Sequence, residues 1–201
     1  MGKGSGLGDR SYGDDVETVT NFGLGVMQGA LDAGITPVVK HWPGIGGGGA
    51  DPHNASTSVA PLDALKAKDL LPFERAFALG APAVMVSHAI IPESSEGVPA
   101  SLSRNAITNV LRTEEGFNGL VITDSLGMRA VTKHAAEPAA ATLSIVAGAD
   151  IALLSGPGVA RDAYNAVLGA VNSGLLSAEQ LDQAVARVLI AKGITGSCPT
   201  A

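Results

Sequence analysis

Apolar positions along this chain follow two alternating patterns. Four short runs, Thr36–Trp42 (TPVVKHW), Ala83–Ala89 (AVMVSHA), Gly119–Asp124 (GLVITD) and Asp150–Ser155 (DIALLS), are almost continuously apolar and rich in β-branched residues. A strand with one wet face would alternate, so this spacing predicts strands buried on both faces. Between them the period changes. Val16, Val19, Phe22, Val26 and Ala30 form a stripe at steps of three and four, with Gly34 as its stop. Leu70, Phe73, Ala76 and Phe77 before Gly80, and Ile107, Val110 and Leu111 before Gly116, repeat the arrangement. Ala139–Gly148 is Ala-rich and ends in Gly. Ser177-Ala-Glu-Gln180 is a capping-box pattern ahead of Leu181, Val185, Val188 and Leu189.

The order is a helix, then strand and helix three times, then a strand and two helices. Such alternation predicts an α/β fold with a parallel sheet. The strands close on groups capable of chemistry: Lys40–His41, Ser87–His88, Thr123–Asp124 and Ser155. In parallel α/β folds ligands bind at those carboxyl ends.

Composition narrows the picture. The 201 residues fit one domain, and with 46% apolar but only 3% aromatic residues the core must be built from Ala, Val, Leu and Ile. A net charge of −6 argues against a nucleic-acid partner, which needs a field of Lys and Arg. The 26 glycines show no three-residue period, which excludes collagen. Cys198 is the only cysteine, so no internal disulfide forms and no redox compartment follows. No apolar run approaches the roughly 20 residues that span a bilayer. Residues 1–8 (MGKGSGLG) read as a linker and lack the apolar middle of a signal peptide, which leaves location open.

Three groups could carry chemistry. Asp124 closes a buried strand before the turn SLGM, where rigid backbone would hold a nucleophile or base; it serves equally well as the N-cap of the next helix. The segment Trp42–Ser58 (WPGIGGGGADPHNASTS) is long for a strand-to-helix connection and contains the run Gly46–Gly49, so a mobile loop is expected. It bears Asp51 and His53, a carboxylate that can orient an imidazole as a general acid, or a chance pair on a solvated loop. The loop lacks the Lys-Ser/Thr ending of a phosphate-binding loop. His41, Asp51 and His53 have ligand types suited to zinc, without a motif that fixes their geometry. Lys40 and His41, with Arg10, suit a ligand rich in hydroxyl or carbonyl oxygens, or brace the strand ends. His88 either lines the same pocket or is a satisfied core histidine, and His134 falls on an exposed helix.

Taken together, Asp9-Arg-Ser-Tyr-Gly13, Lys40-His-Trp-Pro-Gly44, Asp51-Pro-His53, Val86-Ser-His88, Pro99-Ala-Ser-Leu-Ser103 and Val121-Ile-Thr-Asp-Ser-Leu-Gly-Met128 resemble glycoside hydrolase family 3, most of all its bacterial β-N-acetylglucosaminidase branch. Order and spacing agree from about Asp9 to about Lys192. The resemblance implies a (β/α)8 barrel and a retaining glycosidase that removes terminal β-N-acetylglucosamine, from cell-wall muropeptides in that branch, through a covalent glycosyl-enzyme and without a cofactor. It would make Asp124 the nucleophile and His53, paired with Asp51, the acid/base. Arg10, Lys40, His41 and His88 would bind the sugar.

Two departures stand out. The usual KHFPGHG reads KHWPGIG here, with Ile45 in place of a substrate-contacting His, and TDSLGM replaces the commoner TDDLSM. A full barrel takes roughly 250 residues and eight strands. Residues 1–201 are therefore expected to be a single partial (β/α) barrel, matching the C-terminal half of the family's barrel, with residues 42–58 as its mobile catalytic loop. Open sheet edges must be covered, so the expectation is either a catalytically incomplete fragment or a half-barrel completed by a second copy or a complementary chain. A metal-dependent hydrolase using His41, Asp51 and His53 is the alternative from another class. A phosphorylase variant also fits, because an imidazole, unlike a carboxylate, does not repel phosphate.

Overall fold

A computed structural model describes residues 11–45 and 58–194. Arg10, Asp51, His53, the Gly46–Gly49 run and Cys198, all singled out above, lie outside the described residues.

Strands β1 (Val38–Trp42), β2 (Ala83–Val86) and β3 (Leu120–Thr123) form a parallel sheet in that order. The expected fourth strand runs beside β3 but pairs through a single bridge, Ile122 to Ile151. Thr123 N–H donates to the Ile151 carbonyl at 3.0 Å, whereas Leu153 N–H goes to Thr123 Oγ1 at 3.0 Å. That side-chain acceptor replaces a main-chain one and stops the ladder.

Helices α1 (Val16–Asp32), α2 (Leu62–Ala67) and α3 (Leu71–Ala78) flank β1 in sequence. A 3-10 turn, Ala100–Leu102, and a π-wound helix, Asn105–Glu114, join β2 to β3. Then come α4 (Arg129–Thr132), α5 (Glu137–Ala147), α6 (Ala160–Asn172) and α7 (Ala178–Ala191). The stops fall where expected. At Gly34 and Gly80, φ is +72° and +80°, which favours glycine. The following residues, Ile35 and Ala81, donate back to Ala30 and Ala76 at 2.9 Å in each case, closing the helix ends and aiming the chain into β1 and β2. Ser177 caps α7 by accepting from Gln180 N–H at 3.1 Å. The Gln180 side chain does not complete the expected box, because its Nε2 donates to the Ile145 and Val146 carbonyls at 2.8 and 3.1 Å and ties α7 to the end of α5.

Two expectations about burial are corrected. Strands β2 and β3 are buried apart from half-buried Met85 and Ile122, but β1 is not buried on both faces: Val38 and Val39 are half-buried and Lys40 is exposed. Among the described residues no strand pairs with its far side. The face of α1 that packs is Thr20, Leu24, Met27 and Leu31, with Met27 against Ala76 and Ala81. Phe22 and Val26, in the predicted stripe, are 60% and 57% exposed. Among the described residues no strand covers the stripe, whose Val16, Val19 and Val26 line, with β1 and α3, a groove of about 580 Å³. The main core lies on the other side, where Trp42, Leu70, Ile107 and Leu111 are fully buried against β2 and the π-helix.

Candidate active site

Asp124 follows directly on β3. Its N–H donates to the Val86 carbonyl at 2.9 Å, so the sheet's hydrogen bonding continues to the carboxylate-bearing residue itself. Its Oδ1 accepts from Ser125 N–H at 2.8 Å, and its side chain is 20% exposed. Beyond it Leu126 is fully buried and donates to the Leu153 carbonyl at 2.9 Å. Gly127 then passes so close to the fourth segment that an added Cβ would collide with the Ser155 side chain. Ser155, the expected fourth strand tip, is held in turn by Glu137 at the start of α5, with Oγ donating to Oε2 at 2.8 Å and N–H to Oε1.

The KHWPG segment supplies the facing group. Pairing between β1 and β2 slips between Lys40 and Trp42, leaving His41 as an extra residue in the ladder. A bulge of this kind re-aims a side chain. Here it points the imidazole across β2, with Nε2 3.9 Å from Asp124 Oδ2 and the ring 11% exposed. The flanking main chain is tied down: Gly44 N–H donates to the His41 carbonyl at 2.8 Å and Ser87 N–H to the Trp42 carbonyl at 2.9 Å. The Lys40–His41 and Trp42–Pro43 peptide bonds are cis. Lys40 is exposed on the same strand tip.

His88 lies beneath this tip, 1% exposed. Its Nε2 is 2.9 Å from the Ser125 carbonyl and its Nδ1 is 2.7 Å from Ser101 Oγ. A carbonyl only accepts, so Nε2 carries a proton. The Pro99–Ser103 motif is thus docked on the Val86–His88 motif, with Ser101 and Ala100 N–H groups donating to the Ser87 and Ala89 carbonyls at 3.2 and 2.9 Å. Both motifs support the residue next to Asp124. His134 is exposed just after α4.

The structure therefore brings Asp124 and His41 together at the strand tips, with His88 held against Ser125, while Lys40 precedes His41 on β1 and is exposed. Arg10, Asp51 and His53 cannot be placed beside them, lying outside the described residues. Among the described residues no three His, Cys, Asp or Glu side chains gather as a metal site. No described helix is long and apolar enough to cross a membrane.

Two clusters escaped the sequence reading. Asp150, with a side chain 1% exposed, accepts from Arg112 Nη2 at 2.8 Å, Arg187 Nη1 at 3.0 Å and Val121 N–H at 2.8 Å, bracing the root of β3. Burial holds the Arg112 guanidinium below its usual range. A charged residue heading an apolar run was its only trace in the sequence. Trp42 Nε1–H donates to Glu115 at 3.0 and 3.3 Å. Burial, opposed by that hydrogen bond and reinforced by nearby Glu74, pushes the Glu115 carboxyl up to about 7. A lone Trp inside an apolar strand signals that its N–H needs a partner, but not which one.

Comparison with known proteins fits this arrangement. The family model described as the glycosyl hydrolase family 3 N terminal domain matches residues 3–191. That corrects the expectation of a C-terminal half, since it is the N-terminal domain of the family that the chain matches. The β-hexosaminidase LpqI of Mycobacterium tuberculosis is 37% identical over 198 residues, covering 96% of this chain and 51% of LpqI. The chain spans about half the length of the curated relatives it matches. A family 3 β-N-acetylglucosaminidase structure from a Paenibacillus species superposes with a TM-score of 0.90 at 38% identity, over 97% of this chain and 38% of that one. The structure of a β-glucoside phosphorylase, BglX, bound to 2FGlc superposes at 0.84 and 29% identity, over 92% of this chain and 35% of that one.

Proposed function

The chain belongs to glycosyl hydrolase family 3, and from that membership we propose that it carries the nucleophile and part of the sugar site of a retaining β-N-acetylhexosaminidase built on a (β/α)8 barrel. The observation that carries the reading is the Asp124 carboxylate, fixed at a strand tip by Ser125 N–H and faced at 3.9 Å by the His41 imidazole. Asp124 attacks the anomeric carbon of a terminal N-acetylglucosamine and forms an ester as the glycosidic C–O bond breaks. His53, oriented by Asp51, gives its proton to the departing oxygen. It then takes a proton from the water that cleaves the ester, returning Asp124 to a carboxylate. Arg10, Lys40 and His41 hold the sugar's oxygens. His88 acts from below, through Ser125.

The barrel reading also requires strands beyond the open side of β1 and beyond the 150–155 segment, and a second copy or a complementary chain is one source of them. Sedimentation at micromolar concentration tests this, and a folded monomer that turns over substrate excludes pairing. The test of function is release of 4-nitrophenol from its N-acetyl-β-glucosaminide. Turnover abolished by Asp124→Asn, with a fluorinated sugar trapped on Asp124, is the expected result. Trapping on another side chain overturns the assignment. The likeness to a phosphorylase structure favours one second reading, in which phosphate replaces water. Turnover that requires phosphate and yields a sugar 1-phosphate distinguishes it.

A further inference from the structure

Trp42 is the only tryptophan in the chain and is fully buried, so its indole N–H must find an acceptor inside the protein. It finds Glu115, 73 residues away in sequence at the end of the π-helix, and meets both carboxylate oxygens at 3.0 and 3.3 Å. The contact matters because of where Trp42 sits. It is the first residue back in register after the His41 bulge, paired with Val86, and its carbonyl accepts from Ser87 N–H. The indole on one side of the strand and the imidazole before it are parts of one local backbone path.

We propose that Glu115 is a positioning residue for the strand tip: by holding the Trp42 indole it fixes the bulge that aims His41 at Asp124. The catalytic reading above enters only at the last step, since both the indole link and its effect on the His41 ring can be measured without sugar. The surroundings make the link responsive to pH. Glu115 is half-buried and is faced by Glu74 from α3, Lys66 from α2 and Glu114 from its own helix, besides Trp42 from β1. Lys66 is already paired with Glu114 at 2.7 Å, which leaves Glu115 without a close counter-ion of its own among the described residues. A charged carboxylate accepts the indole proton more strongly than a neutral carboxyl does, so protonation loosens the hold on the ring.

With one tryptophan, emission excited beyond the absorption of Tyr12 and Tyr164 comes from Trp42 and reports on its surroundings. The experiment follows Trp42 emission between pH 5 and 9 in the wild-type chain and in Glu115→Gln, which keeps a neutral acceptor of nearly the same shape. In parallel, imidazole proton signals are followed by NMR, with His41 identified by the signal missing in His41→Gln. The expected result is an emission step centred near pH 7 in the wild type and none in Glu115→Gln, with the His41 titration displaced by the substitution. An emission step that persists in Glu115→Gln overturns the proposal. So does a step that vanishes while the His41 signals stay unchanged, because the indole would then not be connected to the site. Loss of 4-nitrophenol release in Asp124→Asn is a separate measurement, so failure of the glycosidase reading leaves these outcomes interpretable.

Discussion

Asp150→Ala is expected to destabilise the fold by about 4 kcal/mol. The aspartate has three partners, Arg112, Arg187 and the Val121 N–H, all within 3.0 Å, and its side chain is 1% exposed. Breaking a buried ion pair by removing one partner costs about 3–5 kcal/mol, chiefly because a charge is left buried without compensation. Stranding a buried N–H adds about 1–3 kcal/mol. The terms do not add fully here. Arg112 keeps the Gly148 carbonyl at 2.9 and 3.1 Å and the Gly119 carbonyl at 3.2 Å, and the Arg187 side chain, 27% exposed, can turn to water. The structure also orders a series. Asp150→Asn keeps one oxygen for Val121 and Arg112 but loses the charge and the acceptor facing Arg187, at about 2 kcal/mol, and Arg187→Ala leaves the Arg112 pair intact, at about 1 kcal/mol. Urea unfolding followed by far-ultraviolet circular dichroism measures all three, and the alanine variant should melt about 8–16 °C lower. If Asp150→Ala falls within about 1 kcal/mol of wild type, or Arg187→Ala costs as much as Asp150→Ala, the brace does not exist as described.

His88→Ala should cost about 3 kcal/mol by emptying a buried site with two hydrogen bonds, and Ser101→Ala about 1 kcal/mol, both read by urea midpoints. Gly127→Ala should destabilise by about 1–3 kcal/mol through collision with Ser155, and the double variant Gly127→Ala/Ser155→Gly should recover most of it, as a double-mutant cycle will record. Glu115, raised from 4.5 to about 7, keeps its proton in the folded state over a range where the unfolded chain has lost it. Stability should therefore fall by about 2–3 kcal/mol as pH rises from about 4.5 to about 7, and Glu115→Gln should flatten that slope in pH-dependent urea unfolding.

What could be read in advance divides along a physical line. Periodicity located β1, β2, β3 and the helix stops because burial period and helix termination are local, set by neighbouring side chains and by glycine at positive φ. It misread α1, where Phe22 and Val26 mark a face that the described fold leaves exposed while Met27 and Leu31 pack. Both stripes exist in that helix, and only the presence or absence of a neighbouring strand decides which is buried. Asp124 was legible because a carboxylate closing an apolar run is a local signal. Its supports were not, since Ser101, Glu115 and Asp150 act across 13, 73 and 37 residues of chain and carry no local mark. The motifs that travel together, Val86–His88 with Pro99–Ser103 and Lys40–Gly44 with Val121–Met128, meet at one corner of the sheet. From the first group His88 binds Ser101 and the Ser125 carbonyl beside Asp124, and from the second His41 approaches the Asp124 carboxylate at 3.9 Å. The setting of Asp124 is thus fixed by β1, β2 and β3 within this chain. In the proposed glycosidase, by contrast, the acid/base assigned to His53 and whatever covers the open side of β1 lie apart from this corner, so turnover and the geometry of Asp124 should respond to different substitutions.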